Sequence, residues 1–162
     1  MNAHSPGLDS LTAADRDTLT FGPLWMFSLV AGSDGAVDER EVDELARVVE
    51  RTRPDGGPLL DLVLSDLTHD GARLLARYAA DDRDAGDGLR RVAAVVDLHW
   101  PPEVGDSFKN GLLEIGRAVA EASGGFLGLG DRKGRAEREA LATAAGYLGV
   151  RAAQDPRPPT TG

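Results

Sequence analysis

Apolar residues recur along most of the chain at the three- and four-residue spacing of a helix face, and only one stretch resembles a strand. From Asp38 onward, Val42, Leu45, Val49 and Thr52 follow that spacing, with Arg and Glu between them. Leu89, Val92, Val96 and Trp100 share one face, as do Leu112, Ile115, Val119 and Ala122. "LLDLVLSDL" has the length of a strand. Leu60, Val63, Leu64 and Leu67 suit a buried helix better, and no second strand is available to pair with it. "DGARLLARYAADD" continues that helix or forms a short one of its own, and "RAEREALATAAGYLGV" supplies the last.

Punctuation between these runs sets the boundaries. Thr12 is a candidate N-cap, with Asp15 near the positive end of the first helix. Gly22-Pro23 predicts a break or kink, with Pro23 in the first turn of a second helix carrying Trp25, Leu29 and Val30. "RTRPDGGP" ends the Asp38 helix, and Pro101-Pro102 stops the one carrying Trp100. The fold class that follows is all-α, a compact bundle of about seven helices. Residues 1–10 read as a flexible N-terminus, 11–150 as a single domain, and the Pro-rich 151–162 as a disordered tail. Abundant Ala and Gly point to close helix packing.

An internal echo runs through the pattern. A helix, "AGSDG" and "EREVDEL" in the first half answer to a helix, "EASGG" and "EREALAT" in the second. Ser33 aligns with Ser123, Gly35 with Gly125, Glu41 with Glu137 and Leu45 with Leu141. Chance likeness of two helix–loop–helix units is the alternative.

Composition narrows the chemistry. The absence of cysteine excludes disulfides and thiolate metal sites, and His4, His69 and His99 have no zinc-ligand spacing. A net charge of -9 disfavours nucleic acid and anionic membranes as partners, and would draw divalent cations or basic partners. "PLWMFSLVAG" is too short to span a bilayer, and "MNAHSPGLDSL" lacks a signal peptide's basic start and apolar segment. A soluble cytoplasmic protein is expected, and the excess of Arg over Lys with much Ala and Gly points to a GC-rich bacterial genome.

The densest chemistry lies in "VAGSDGAVDEREVDEL", residues 30–45. An EF-hand loop starting at Asp34 fails, with Ala36 at its third position, Glu39 where Gly is required and Leu45 where the bidentate Glu is required. Asp38 and Glu41 nevertheless share one side of a first helical turn, with Asp34 just before it. Three carboxylates there could meet one hard cation such as Ca²⁺, Mg²⁺ or Mn²⁺, with carbonyls and water completing the shell. The same spacing describes a capping box, Asp38 as N-cap and Glu41 at N3, which needs no metal. Both readings stand at this point.

Elsewhere, "GGFLGLGDRKGR" matches neither a P-loop nor a dinucleotide fingerprint and reads as a loop carrying Arg132, Lys133 and Arg135. "DDRDAGDG" reads as a solvated loop with an N-cap at Asp87. Trp25 and Trp100 read as core, and His69 and His99 as half-buried polar residues.

"FGPLWMFSLVAGSDGAVDEREVDELARVV", residues 21–49, resembles the bacterial tellurite-resistance TerB family and its TerB-like relatives. There an apolar helix ends in Ala-x-x-Asp-Gly, followed by an apolar residue, an acidic residue and a Glu opening the next helix. Ala31, Asp34, Gly35, Val37, Asp38 and Glu41 match that order, and Tyr147-Leu148-Gly149-Val150 resembles the family's ending. The resemblance implies an all-helical domain of two pseudo-symmetric halves whose acidic residues face a metal ion or a protein partner. The implied setting is stress response, tellurite or metal resistance, and multi-protein assemblies near the membrane. It does not imply an enzyme. The second half departs from the pattern, with Gly124-Gly125 in place of Asp-Gly and eleven residues (126–136) before Glu137 against five (36–40) before Glu41. Either Asp131 supplies the missing carboxylate from a longer loop, or the second site is lost. The metal-ligand candidates are therefore Asp34, Asp38 and Glu41, with Asp131 and Glu137 in the second half. A metal-free interaction domain with capping carboxylates is the alternative function.

Overall fold

The apolar run 19–30 is a single helix, although it contains a proline. In the computed structural model, which describes residues 7–32, 36–122 and 131–150 (the last without the side chains of 131–133), helix α1 spans Ala13–Ala31 without interruption. The predicted break at Gly22-Pro23 is absent. Proline removes one backbone hydrogen bond and crowds the preceding turn. That local cost is outweighed by burial, since Leu19, Phe21, Leu24, Trp25, Met26, Phe27 and Val30 are all buried. Thr12 caps the helix, its Oγ1 accepting from the Asp15 N–H at 3.1 Å. Gly32 ends it at φ 69°, a left-handed conformation that glycine adopts without strain.

Six further helices complete the described residues: α2 Glu39–Thr52, α3 Gly57–His69, α4 Gly71–Ala79, α5 Ala85–His99, α6 Pro102–Ala122 and α7 Asp131–Leu148. The chain is an all-α bundle, as the periodicity predicts. A 3₁₀ turn, Leu8–Ser10, precedes α1 and is tied to it by the Arg16 Nε–H donating to the Leu8 carbonyl at 3.2 Å. Part of the segment read as a flexible N-terminus is thus structured. The face read on α2 is shifted, since Val48 is buried beside Val42, Leu45 and Val49 while Thr52 is exposed. The N-cap of α5 is Asp84, whose Oδ1 accepts from the Asp87 N–H at 2.8 Å, so Asp87 lies inside the helix. The backbone of 131–135, read as loop, is the start of α7. The proposed tail, 151–162, lies outside the described residues.

Close packing through glycine sets the helix arrangement. A methyl group added at Gly22 would lie 3.5 Å from Leu112 Cδ1, and one at Gly116 would lie 2.8 Å from Met26 Sδ. Residues 22 and 26 of α1 therefore face 112 and 116 of α6, so the two helices run parallel, each pair ninety residues apart in the chain. Ser33–Ser123 and Gly35–Gly125 in the internal echo have the same separation. The bulky residue alternates sides, Leu112 filling the space over Gly22 and Met26 the space over Gly116. Helix α2 packs on α6, and α7 packs on α1, so each half lays its second helix on the other half's first. The likeness is incomplete, because α7 also packs on α6 and α5.

Candidate functional site

Parallel packing puts the C-termini of α1 and α6, at Gly32 and Ala122, at one end of the bundle. The segments carrying the acidic candidates leave from that end. In the first half, the turn into α2 is fixed by two reciprocal hydrogen bonds. The Glu41 N–H donates to Asp38 Oδ1 at 2.9 Å, and the Asp38 N–H donates to Glu41 Oε2 at 2.9 Å. This is the capping box of the sequence reading, complete in both directions. It satisfies two backbone donors that the helix leaves without partners. One oxygen of each carboxylate, Asp38 Oδ2 and Glu41 Oε1, is outside these two bonds and keeps its lone pairs for another donor or a cation. Asp38 is exposed and Glu41 half-buried.

The remaining candidates are distributed differently. Asp34 and the side chain of Asp131 lie outside the described residues; the Asp131 backbone opens α7. Glu137, a second-half metal-ligand candidate from sequence, is buried in α7 at 7 % exposure. Among the described residues, no group of three or more His, Asp or Glu side chains is arranged to hold a metal ion.

A second polar cluster binds the start of α1 to α4 and α5. Asp17 pairs with Arg77, and Asp15 with Arg91 at 3.2 Å. Arg83 is held three ways: by Asp81 Oδ2 at 2.7 Å, by Thr18 Oγ1 at 2.9 Å and by the Trp25 ring 4.9 Å below its guanidinium. Hydrogen bonding to the Arg83 side chain is the main cause holding the Asp81 carboxyl below its ordinary range, and the same bond raises Arg83. Phe21, Trp25 and Tyr78 pack edge-to-face or tilted beneath these arginines. Burial pushes the Tyr78 phenol up, opposed by a hydrogen bond with Ser28. Sequence reasoning missed this cluster because its partners are far apart in the chain; only the Asp81-x-Arg83 spacing is local. Its arrangement is that of a strap clamping the α4–α5 connection onto α1, with an aromatic floor.

Other polar side chains have structural roles. Buried Lys109 donates to Asp97 Oδ1 at 2.7 Å, joining α6 to α5. His69 is exposed, contrary to the sequence reading, and its Nδ1 lies 2.9 Å from the Ser65 carbonyl and 3.3 Å from Ser65 Oγ. His99 is half-buried, and Trp25 and Trp100 are core residues, as read. No helix among the described residues is long and apolar enough to cross a membrane. Comparison of the chain with models of known protein families, with curated proteins and with solved structures finds no match.

Proposed function

We propose that this chain is a non-enzymatic TerB-like module, working in the bacterial cytoplasm in a stress or tellurite-resistance setting. Its acidic end engages a divalent cation or a protein partner. The observation that supports this reading is the parallel pairing of α1 and α6 in the register of the internal echo. That pairing puts the C-termini of α1 and α6, which precede the two echoing segments in sequence, at one end of the bundle. Asp38 Oδ2 and Glu41 Oε1 are the oxygens available to such a ligand, with Asp34 beside them in sequence. Asp131 and Glu137 are the second-half candidates, and the burial of Glu137 favours a structural role for it.

The complete capping box favours a second reading, in which Asp38 and Glu41 serve the helix alone and the module recruits its partner without metal. A thermal melt after chelation separates the two, with Ca²⁺, Mg²⁺, Mn²⁺ and Zn²⁺ added singly to wild type and to the Asp34→Ala, Glu41→Ala double variant. A cation at a hundred times its dissociation constant adds about 2.7 kcal/mol of stability. A cation-specific rise that the double variant loses supports the metal reading. A melt indifferent to every cation rejects it and leaves the partner reading, tested next by capture with and without the acidic residues.

A further inference from the structure

The outer face of α2 has a charge pattern that the bundle itself does not use. Leu45 is fully buried, so it marks the inward direction of the helix. At about 100° per residue, Arg40, Asp43, Arg47 and Glu50 all fall within about 40° of the opposite direction. All four are exposed, as are Glu39 and Arg51 at the flanks. Among the described residues, none of these six side chains forms an ion pair.

The order of the charges is antisymmetric about Leu45. Asp43 and Arg47 lie two residues to either side, Arg40 and Glu50 five, and Glu39 and Arg51 six, and every such pair has opposite sign. A two-fold axis through the middle of an antiparallel helix pair brings together positions equidistant from its centre. An identical α2 laid antiparallel across this one would set Arg40 against the second copy's Glu50 and Asp43 against its Arg47. Each contact occurs twice, and the Asp43–Arg47 pairs lie nearest the axis. An open recess of about 460 Å³, lined by Arg40, Asp43, Glu44, Arg47 and Arg51, lies on the same face and leaves room for long side chains to interdigitate.

We infer that this chain associates with a second copy of itself through the exposed face of α2, antiparallel and centred on Leu45. The inference is independent of the cation reading, since Asp34, Asp38 and Glu41 take no part in it. Exposed ion pairs are individually weak, so the dimer is transient and sensitive to salt. Electrostatic complementarity supplies partner choice and register more than strength.

Sedimentation velocity of the full chain across a concentration series tests it, at about 0.02 M and about 0.5 M salt, on either side of the physiological screening length. Self-association at low salt that vanishes at high salt is expected. D43R and R47D should each weaken it about tenfold or more, because each puts like charges across the axis twice. The double variant D43R/R47D restores every opposed pair and should recover the dimer. An equimolar mixture of D43R with R47D should form a mixed dimer that neither forms alone. Among the described residues the Asp43 and Arg47 side chains make no hydrogen bond or ion pair, and recovery in the mixture shows that both variants are folded. A chain that remains monomeric at low salt overturns the proposal. So does a dimer that survives R47D, or one that R47D abolishes and the double variant fails to restore.

Discussion

Helices α1 and α2 are neighbours in sequence and opposites in what holds them. The middle of α1 is buried on all sides, and it forms despite a proline in its interior and an apolar sequence with little amphipathic pattern. Helix α2 buries one narrow stripe, Val42, Leu45, Val48 and Val49, and carries charge on every other side. Its start is written locally, in a four-residue span whose two ends, Asp38 and Glu41, cap each other. The contrast shows two ways of specifying a helix. One is tertiary and overrides propensity; the other is local and needs little from the rest of the molecule.

The sharpest way to break this comparison is at Trp25. Its ring lies under Arg83, against Phe21, and flat against Gly88, where an added methyl group would come within 2.3 Å of it. Trp25→Ala should cost about 4 kcal/mol in denaturant unfolding. A cost below about 1 kcal/mol would mean that burial does not dictate α1. At α2 the corresponding test is the cap. Asp38→Ala should cost about 1 kcal/mol, the same before and after chelation. A dependence on added cation would turn the cap into a ligand site.

The smallest effects are in pH, and they belong to the wall around α1. Tyr78 is raised, so the fold favours its neutral phenol. Its contribution is full below the ordinary tyrosine value of about 10 and is lost as pH rises through the folded value. Asp81 is lowered, so its contribution is present above the ordinary carboxylate value of about 3.9 and is lost as pH falls through the folded value. Both should be modest. Tyr78→Phe should remove the alkaline decline while leaving the acid one, and an unchanged alkaline decline would assign it to another group.

Legibility in the sequence follows the same division. The capping box, the helical nature of "LLDLVLSDL" and the apolar face of α5 are local, and periodicity with cap spacing revealed them. Pro23 misled because propensity carries no information about how many sides of a helix will be buried. Asp84 was passed over for Asp87 because both are aspartates before an apolar run, and only backbone geometry selects between them. The Arg83–Trp25–Asp81 strap depends on tertiary placement. The parallel pairing of α1 with α6 left a partial trace in the Ser33–Ser123 echo, but Gly22 and Gly116 could not be recognised as its contact points from spacing alone. As for the candidate site, Asp38 and Glu41 were placed correctly on the first turn of α2, while the burial of Glu137 was hidden in a segment that reads as polar.

The parallel α1–α6 pair also has a consequence for how the chain is made. Two helices side by side in the same direction cannot be joined by a short turn, and here the contacting positions are ninety residues apart. Closing so long a loop is entropically slow and raises the contact order well above that of an up-and-down bundle. During synthesis the apolar surface of α1 emerges first and waits for α6, which is made more than half a chain later. Until then, Met26 lacks its cover at Gly116. The nascent chain, more than the finished protein, is where this fold is exposed to aggregation and most in need of a chaperone.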